Sequence, residues 1–303
     1  MSSQSLLDRI AGWPWAETAT VVFGFAWGAM LGSFLNVVAH RLPRGESLVR
    51  HRSRCPACGA AIRAGDNVPV IGWLRLGGRC RDCHEPIAPR YPLVEAGCGL
   101  LVMVLAWAEL VGGGRWLPRL GDAFPAGIDR LLRGDWSLLA TCAMHAAVVL
   151  TIVTWSLLDL EGARPGRLLA TLPIVLATAF IVAMPTSGPG GLLATIDWPP
   201  DSPRLQAVVA SLTGAAVGWG LGLRAAAPAV RLGLPLLGSV LGWQAVTVVA
   251  AVVVAIAQAA PAIGVGPQPA AGFVLAAAGT LGIAFQAPLR AAVNAALRPL
   301  LGP

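Results

Sequence analysis

The sequence has 303 residues, of which 56% are hydrophobic and only 12% are charged, and its mean hydropathy is +0.69. A water-soluble globule of this length needs more polar surface, so the composition indicates a chain whose solvent is lipid. The formal net charge is +7, but the arginines cluster in short segments between apolar runs, which argues against a nucleic-acid-binding surface. We therefore expect the lipid bilayer, and no nucleic acid, around this chain.

Apolar runs long enough to cross a bilayer recur along the chain. A spanning helix needs about 20 such residues, and the predicted fold class is an all-α polytopic membrane protein with about seven transmembrane helices. The predicted spans are 18–39, 92–112, 136–158, 168–186, 206–223, 232–258 and 271–288. Gly24, Gly28 and Gly32 form a small face suited to close helix packing, although chance in a glycine-rich chain explains the spacing equally well.

The distribution of arginine predicts the orientation of the spans. Residues 41–91 hold ten arginines and four acids. If this loop is cytoplasmic, alternation of the spans places sixteen of the 22 arginines inside and six outside, as the positive-inside rule requires. The sequence therefore predicts a multi-pass protein with its N-terminus outside and the long polar loop in the cytoplasm.

The long polar loop contains two Cys-x-x-Cys pairs, and its four cysteines are Cys55, Cys58, Cys80 and Cys83. Two such pairs at this spacing can place four thiolates tetrahedrally around Zn²⁺. Neighbouring arginines favour thiolate over thiol, and a cytoplasmic location disfavours the competing arrangement of two disulfides. We expect a structural zinc ion, since four sulfurs leave no position for a reactive water. The expected basic neighbours are Arg52, Arg54, Arg79 and Arg81.

The amino-acid sequence around these cysteines is distinctive. Residues 32–38 read Gly-Ser-Phe-Leu-Asn-Val-Val, and 66–74 read Asp-Asn-Val-Pro-Val-Ile-Gly-Trp-Leu. Residues 78–83 read Gly-Arg-Cys-Arg-Asp-Cys, and 89–95 read Pro-Arg-Tyr-Pro-Leu-Val-Glu. Over 28–95 the chain closely resembles the N-terminal domain of bacterial prepilin peptidases, the type IV leader peptidases.

This resemblance implies a polytopic aspartic peptidase of the bacterial inner membrane. Its substrates would be the precursors of type IV pilins or of type II secretion pseudopilins, cut on the cytoplasmic side. Many members also N-methylate the new N-terminus with S-adenosylmethionine. The sequence shows no glycine-rich nucleotide motif, so it neither supports nor excludes this second cofactor. Peptide hydrolysis in the family uses two aspartates, one as general base toward water and one as proton donor to the leaving amine.

The first of the two catalytic aspartates has a counterpart in Asp159. Residues 158–166 read Leu-Asp-Leu-Glu-Gly-Ala-Arg-Pro-Gly, which resembles the family's first motif with Glu161 in place of its second aspartate. Asp159 lies at the predicted cytoplasmic end of the third span. An acid at a helix C-terminus opposes the helix dipole, which disfavours a chance placement and favours the catalytic interpretation.

The second catalytic aspartate has no counterpart. Family spacing, counted back from Trp243, places Val230 where this acid belongs, and the chain has no Asp or Glu after Asp201. Asp197 and Asp201 fall in a predicted outer loop, across the bilayer from Asp159. The remaining substitutes on the cytoplasmic side are Glu161 and Glu95.

Two further polar residues lie inside predicted spans. Glu109, near the outer end of its span, is interpreted as an interface or packing residue. His145 lies in mid-span, where a polar side chain is costly unless it faces the bundle interior. We expect His145 to form a hydrogen bond between helices rather than to take part in catalysis.

Two functional hypotheses follow. In the first, the protein is a leader-processing enzyme of the family with Asp159 and an unusual partner, its cleavage weakened or lost. In the second, it is an inactive relative that binds pilin-like substrates or assists their assembly. In both, residues 18–95 carry the first span and the cysteine loop, and 96–303 form a membrane bundle resembling the aspartic peptidase domain.

Overall fold

The structure is a computed structural model, and it describes six stretches of the chain together with single positions between them. These stretches are residues 14–49, 53–112, 136–183, 203–223, 227–241 and 267–285. Parts of several predicted spans, including most of residues 242–258, lie outside the described residues.

The described residues form α-helices and short helical turns, with two isolated β-bridges in the cysteine loop. We number the helices in chain order. They are α1 (Pro14–Arg41), α2 (Ile71–Arg75), α3 (Arg90–Leu105), α4 (Ser137–Leu160), α5 (Arg167–Ala183), α6 (Pro203–Gly222), α7 (Pro228–Leu241) and α8 (Pro267–Ala284). Short 3₁₀ turns occupy Leu42–Arg44 and Ala64–Asp66, and α3 continues as a π-helical segment, Ala106–Val111.

Three of the described helices are long and apolar enough to cross a membrane: Trp15–Arg44, Arg90–Val111 and Ser137–Leu160. Four shorter apolar helices follow within the described part of the chain. The predicted all-α polytopic membrane fold is therefore confirmed, and the cysteine loop lies between its first two long helices.

The glycine face of α1 packs directly against α3. A Cβ atom added at Gly28 would lie 2.5 Å from the carbonyl oxygen of Cys98 and 2.8 Å from the Cβ of Val102. Added at Gly24 or Gly32, it would lie 2.9 Å from a Cβ atom of α3. All these distances are too short for real side chains, so the predicted small face is the contact that lets the two helix backbones approach.

A buried polar pair joins α3 to α4. Nδ1 of His145 lies 2.8 Å from Oε1 of Glu109, and both side chains are 1% exposed. The interhelical hydrogen bond expected for His145 is thus present, and its partner is the acid interpreted as a packing residue. Glu109 lies in the π-helical segment of α3, whose wider turn changes the direction in which side chains point.

The C-terminal helices gather around α4. Helix α7 packs against α4, α5, α6 and α8, and α8 also packs against α4. Helix α7 begins at Pro228, four residues before the predicted start at 232. Proline is favoured in the first turn of a helix because it has no N–H to leave unpaired. Val230, which the sequence placed in a loop, therefore belongs to the first turn of α7.

The α1–α3 contact generates a prediction with a matched control. Gly28→Ala should lower the free energy of unfolding by about 1–3 kcal/mol, because the added methyl group forces the two backbones apart. Gly97→Ala, in α3, meets nothing within 4 Å and should be neutral or slightly stabilising, because alanine favours helix over glycine. Thermal unfolding of the detergent-purified variants measures both. Equal unfolding midpoints for the two variants would contradict the close packing.

Candidate functional site: a four-cysteine loop and a carboxylate at a helix junction

The two Cys-x-x-Cys segments fold into two similar turns. In the first, the Gly59 N–H donates to the Cys55 carbonyl at 2.9 Å, and in the second the His84 N–H donates to the Cys80 carbonyl at 3.0 Å. Gly59 and His84 follow the second cysteine of each turn and have positive φ angles of 72° and 60°. The same backbone conformation thus presents each pair of sulfurs, at an energetic cost in the second turn because His84 carries a Cβ.

The four sulfurs converge on one point. The Sγ atoms of the two turns all lie within 4.8 Å of one another, and those of Cys55 and Cys83 are 3.8 Å apart. A disulfide requires about 2.05 Å, so the thiols are free. Four sulfurs placed tetrahedrally about 2.3 Å from one zinc ion are separated by about 3.8 Å. The cluster therefore has the ligands and the dimensions to hold one metal ion.

The electrostatics of the cluster differ from the sequence-based expectation. The backbone N–H groups of Cys58 and Ala57 lower the pKa of the Cys55 thiol to about 7, so backbone dipoles favour the thiolate at this position. At Cys58 and Cys83, backbone hydrogen bonds also lower the pKa, but desolvation and the neighbouring thiols outweigh them and the net pKa is raised. Arg81, which the sequence assigned to this role, instead forms a two-point ion pair with Asp66, with N···O distances of 2.5 and 2.7 Å. This pair lowers the pKa of Asp66 and ties the two halves of the loop together.

A strained turn anchors the loop to α3. Val70 has φ 62° and ψ −53°, and the Ile71 N–H donates across it to the Pro69 carbonyl at 2.6 Å. This is a γ-turn with positive φ, a rare conformation for a β-branched residue. The Val70 N–H donates to Oε2 of Glu95 at 2.7 Å. Local strain of this kind persists only where surrounding contacts maintain it, and Glu95 supplies one of them.

Asp159 joins two helices. It lies in the last turn of α4, and its Oδ2 accepts a hydrogen bond from the Ala229 N–H at 2.9 Å. The Ala229 N–H lies in the first turn of α7, where backbone N–H groups have no partner inside their own helix. The carboxylate of Asp159 therefore caps α7 from outside. Its other oxygen, Oδ1, is buried without a hydrogen-bond partner among the described residues.

Val230 follows the residue that binds Asp159. It is 6% exposed and belongs to the apolar core. The position that family spacing assigned to the second aspartate thus lies next in sequence to the backbone group that contacts Asp159. An apolar side chain occupies it.

The two substitute acids on this side of the chain already have partners. Glu161 pairs with Arg90 at 2.5 Å and with Arg44 at 3.4 Å. Burial raises the pKa of Glu161, but the two arginines outweigh burial and the net pKa is lowered, so this carboxylate stays ionised. Glu95 accepts the Val70 N–H. Asp197 and Asp201 lie outside the described residues.

Sequence reasoning missed several of these contacts. Nothing in the spacing indicates that Glu161 binds Arg44 and Arg90, because the partners are 117 and 71 residues away. The start of α7 could have been predicted from the sequence, since Pro228 is typical of the first turn of a helix. The sequence did not indicate that Asp159 caps this helix.

Comparison with known proteins identifies the N-terminal part. Residues 26–109 match the family model described as the bacterial peptidase A24 N-terminal domain. No solved structure is significantly similar to the chain.

The similar curated proteins are named prepilin leader peptidase/N-methyltransferase. That of Myxococcus xanthus is 54% identical over 80 residues, which cover 26% of this chain and 24% of that protein. Those of Stutzerimonas stutzeri and Pseudomonas aeruginosa are 37% and 35% identical over 145 and 164 residues, covering 40% and 46% of this chain and 46% and 51% of the relatives. The chain thus spans between about a quarter and half of the length of these relatives. These matches support a place for the N-terminal part of the chain, residues 26–109, in the prepilin peptidase family.

Proposed function

We propose that this protein handles the leaders of type IV prepilins or type II secretion pseudopilins at the inner membrane, with leader cleavage weakened or lost. The observation that carries the proposal is Val230, a buried apolar residue next in sequence to Ala229, whose N–H binds the carboxylate of Asp159. The relatives are named as leader peptidases and N-methyltransferases, and the match to the peptidase A24 N-terminal domain, residues 26–109, includes the cysteine loop. Residues 18–95 would bind the precursor, and 96–303 would form the bundle that carries Asp159.

The chemistry explains why the missing acid matters. Hydrolysis of a peptide bond needs one carboxylate to activate water and a second group to protonate the leaving amine. Asp159 has one oxygen engaged with Ala229 and one without a partner among the described residues, so it could still orient water. Valine has no proton to give, and Glu161 is held by two arginines.

The alternative function is that of an inactive relative that acts as a substrate-binding or assembly factor. The specific observation in its favour is that Asp159 already has a structural task, capping α7. A genome that carries a second, complete leader peptidase together with pilin-like genes beside this one would favour the alternative. Absence of any complete peptidase from that genome would favour the enzyme.

A cleavage assay tests the proposed loss of activity. The unaltered protein should show little or no cleavage of a prepilin leader in membranes. Val230→Asp should increase it, because it restores a carboxylate next in sequence to the residue whose N–H binds Asp159. The increase in cleavage depends on how accurately the new carboxylate is placed, since a displacement of about 1 Å can reduce catalysis about 100-fold. Electrophoresis of the cleaved precursor measures the effect.

The controls for this prediction are of matched size. Val230→Asn places a similar side chain without an ionisable proton and should give no gain, and adding Asp159→Asn to Val230→Asp should abolish it. Efficient cleavage by the unaltered chain, lost in Asp159→Asn, would contradict the proposal and direct attention to Glu95 and Glu161.

We also propose that the cysteine cluster holds structural zinc. Its sulfur separations suit tetrahedral coordination, and four thiolates fill the coordination shell. Zinc would therefore supply folding free energy to a loop with few apolar residues of its own rather than activate water.

The zinc prediction compares two cysteines. Purified protein should contain about one zinc per chain. Cys80→Ser should lose the metal and expose the loop to proteolysis, whereas Cys142→Ala, a buried free thiol of α4, should keep it. Elemental analysis and limited proteolysis measure the two effects. A metal-free protein with the four thiols oxidised in pairs would refute the site.

The proposed orientation places the cysteine loop in the cytoplasm and the N-terminus outside. It is based on the arginine bias. Contacts between the segments assigned to the cytoplasm support placing them on the same side of the membrane. Arg44 and Arg90, at the two ends of the loop, contact Glu161, and Asp159 contacts the start of α7. All these segments were assigned to the inner side by alternation.

Reporter insertions test the orientation. A reporter enzyme that is active only in the cytoplasm should be active when it is inserted at Ala60. A reporter that is active only outside the cytoplasm should be active when it is inserted at Thr195. Both reporters working on the same side would mean that the number of spans between the two positions is wrong.

A further inference from the structure

Two large apolar side chains of α2 are exposed on the same side of this short helix. Ile71 is 55% exposed and Leu74 is 63% exposed. Residues three positions apart on a helix are neighbours on its surface, so the two form one apolar patch, which we call the outer face of α2. Contiguous exposed apolar surface of this kind marks a contact with protein or lipid, and its position in the fold indicates which.

The opposite side of α2 is packed against the four-cysteine loop. Gly72 is buried, and a Cβ atom added to it would lie 2.1 Å from the carbonyl oxygen of Asp66. The indole N–H of Trp73 donates to the Ile87 carbonyl at 3.0 Å. These contacts hold α2 in one orientation, so the outer face cannot turn inwards and the loop itself does not cover it.

The outer face lies at the level where α3 enters the membrane. The Val70 N–H, next in sequence to Ile71, donates to the carboxylate of Glu95 at 2.7 Å. Glu95 lies about 7.5 Å along the helix axis from Arg90, where α3 begins, and helical side chains point back towards the N-terminus. Its carboxylate therefore lies beside the first turns of a helix that is long and apolar enough to span a membrane. The start of α2 is held at this level.

A cavity that the loop shares with α1 supports the same placement. It has a volume of about 440 Å³, and Val68 and Trp73 line it together with Ser33. Ser33 lies about 12 Å along the helix axis from Arg41, where α1 ends. Both observations indicate that the segment carrying α2 lies beside the two helices rather than beyond their ends. Exposed side chains at this level meet the interfacial region of the bilayer.

The charge next to the outer face suits a lipid headgroup. Arg75 is the last residue of α2 and is exposed. Its Nη1 donates to the Gly65 carbonyl at 3.3 Å, and among the described residues no carboxylate lies within ion-pairing distance of it. The acid of this segment, Asp66, is paired with Arg81. The guanidinium of Arg75 can therefore bind a phosphate group in a two-point contact.

We propose that the outer face of α2 anchors the four-cysteine loop to the bilayer leaflet on its own side. Ile71 and Leu74 lie among the lipids at the boundary between headgroups and acyl chains, and Arg75 contacts a lipid phosphate. The proposal goes beyond the proposed function, because it needs neither a precursor nor the carboxylate of Asp159 and holds for either orientation of the spans. Coverage of the outer face by protein is the alternative that the test distinguishes.

Spin labels measure the depth of the outer face in full-length protein, purified with zinc and placed as single copies in phosphatidylcholine nanodiscs. A nitroxide attached through a genetically encoded ketone amino acid at position 71 or 74 leaves all cysteines unmodified. We expect both labels to be more accessible to oxygen, which dissolves in lipid, than to a water-soluble paramagnetic chelate, at a depth of about 5–10 Å. The same label at Val22, an exposed residue of α1, is the lipid reference.

A pair of arginine variants tests the phosphate contact. Adding phosphatidylglycerol to the nanodiscs should lower the accessibility of the label at position 74 to the chelate, because an anionic surface attracts the guanidinium. Arg75→Gln should lose this shift. Arg79→Gln removes the same charge from another exposed arginine of the loop, which likewise donates to one backbone carbonyl, that of His84. This control should keep the shift.

Three results would overturn the proposal. A label at either position that is more accessible to the chelate than to oxygen would place the outer face in water. Labels protected from both reagents would mean that protein covers the face. An equal loss of the phosphatidylglycerol shift in the two arginine variants would assign it to the total charge of the loop rather than to a contact of Arg75.

Discussion

The close approach of α1 and α3 sets the geometry of the N-terminal half of the molecule. Three glycines remove the side chains that would separate the two backbones. The four-cysteine loop leaves the end of α1 and returns at the start of α3, so its two ends are held side by side. The cavity beneath the loop is lined by the same two helices. Glu95 then accepts the Val70 N–H at the strained turn, which ties the middle of the loop to α3.

The position of Asp159 has a simple electrostatic explanation. Its own helix, α4, ends nearby and presents a negative dipole end, which disfavours an acid there. Helix α7 begins within hydrogen-bonding distance and presents a positive end, which favours it. The carboxylate is thus stabilised by a neighbouring helix rather than by its own. A capping role and a catalytic role require the same placement, so position alone does not separate them. The proposal that cleavage is weakened or lost rests instead on the apolar side chain of Val230.

How much could be predicted depended on the range of the interactions. The cysteine cluster follows from two short spacings, and the long helices follow from composition. The small face of α1 was visible as a four-residue repeat. By contrast, the γ-turn at Val70 depends on a carboxylate 25 residues away, and the cap on α7 depends on one 70 residues away. Spacing carries no information about such pairs, because they form only when the helices pack.

The glycine face of α1 also has a consequence for biosynthesis. Helix α1 ends at Arg41, and the π-helical continuation of its partner ends at Val111. Roughly seventy residues must therefore be made between the two, which takes on the order of 4–14 s at ordinary rates of translation. During that interval α1 presents a groove without side chains to lipid or to the insertion machinery. A protein that occupies this groove in the meantime, and leaves when α3 arrives, would act as a chaperone for the nascent chain.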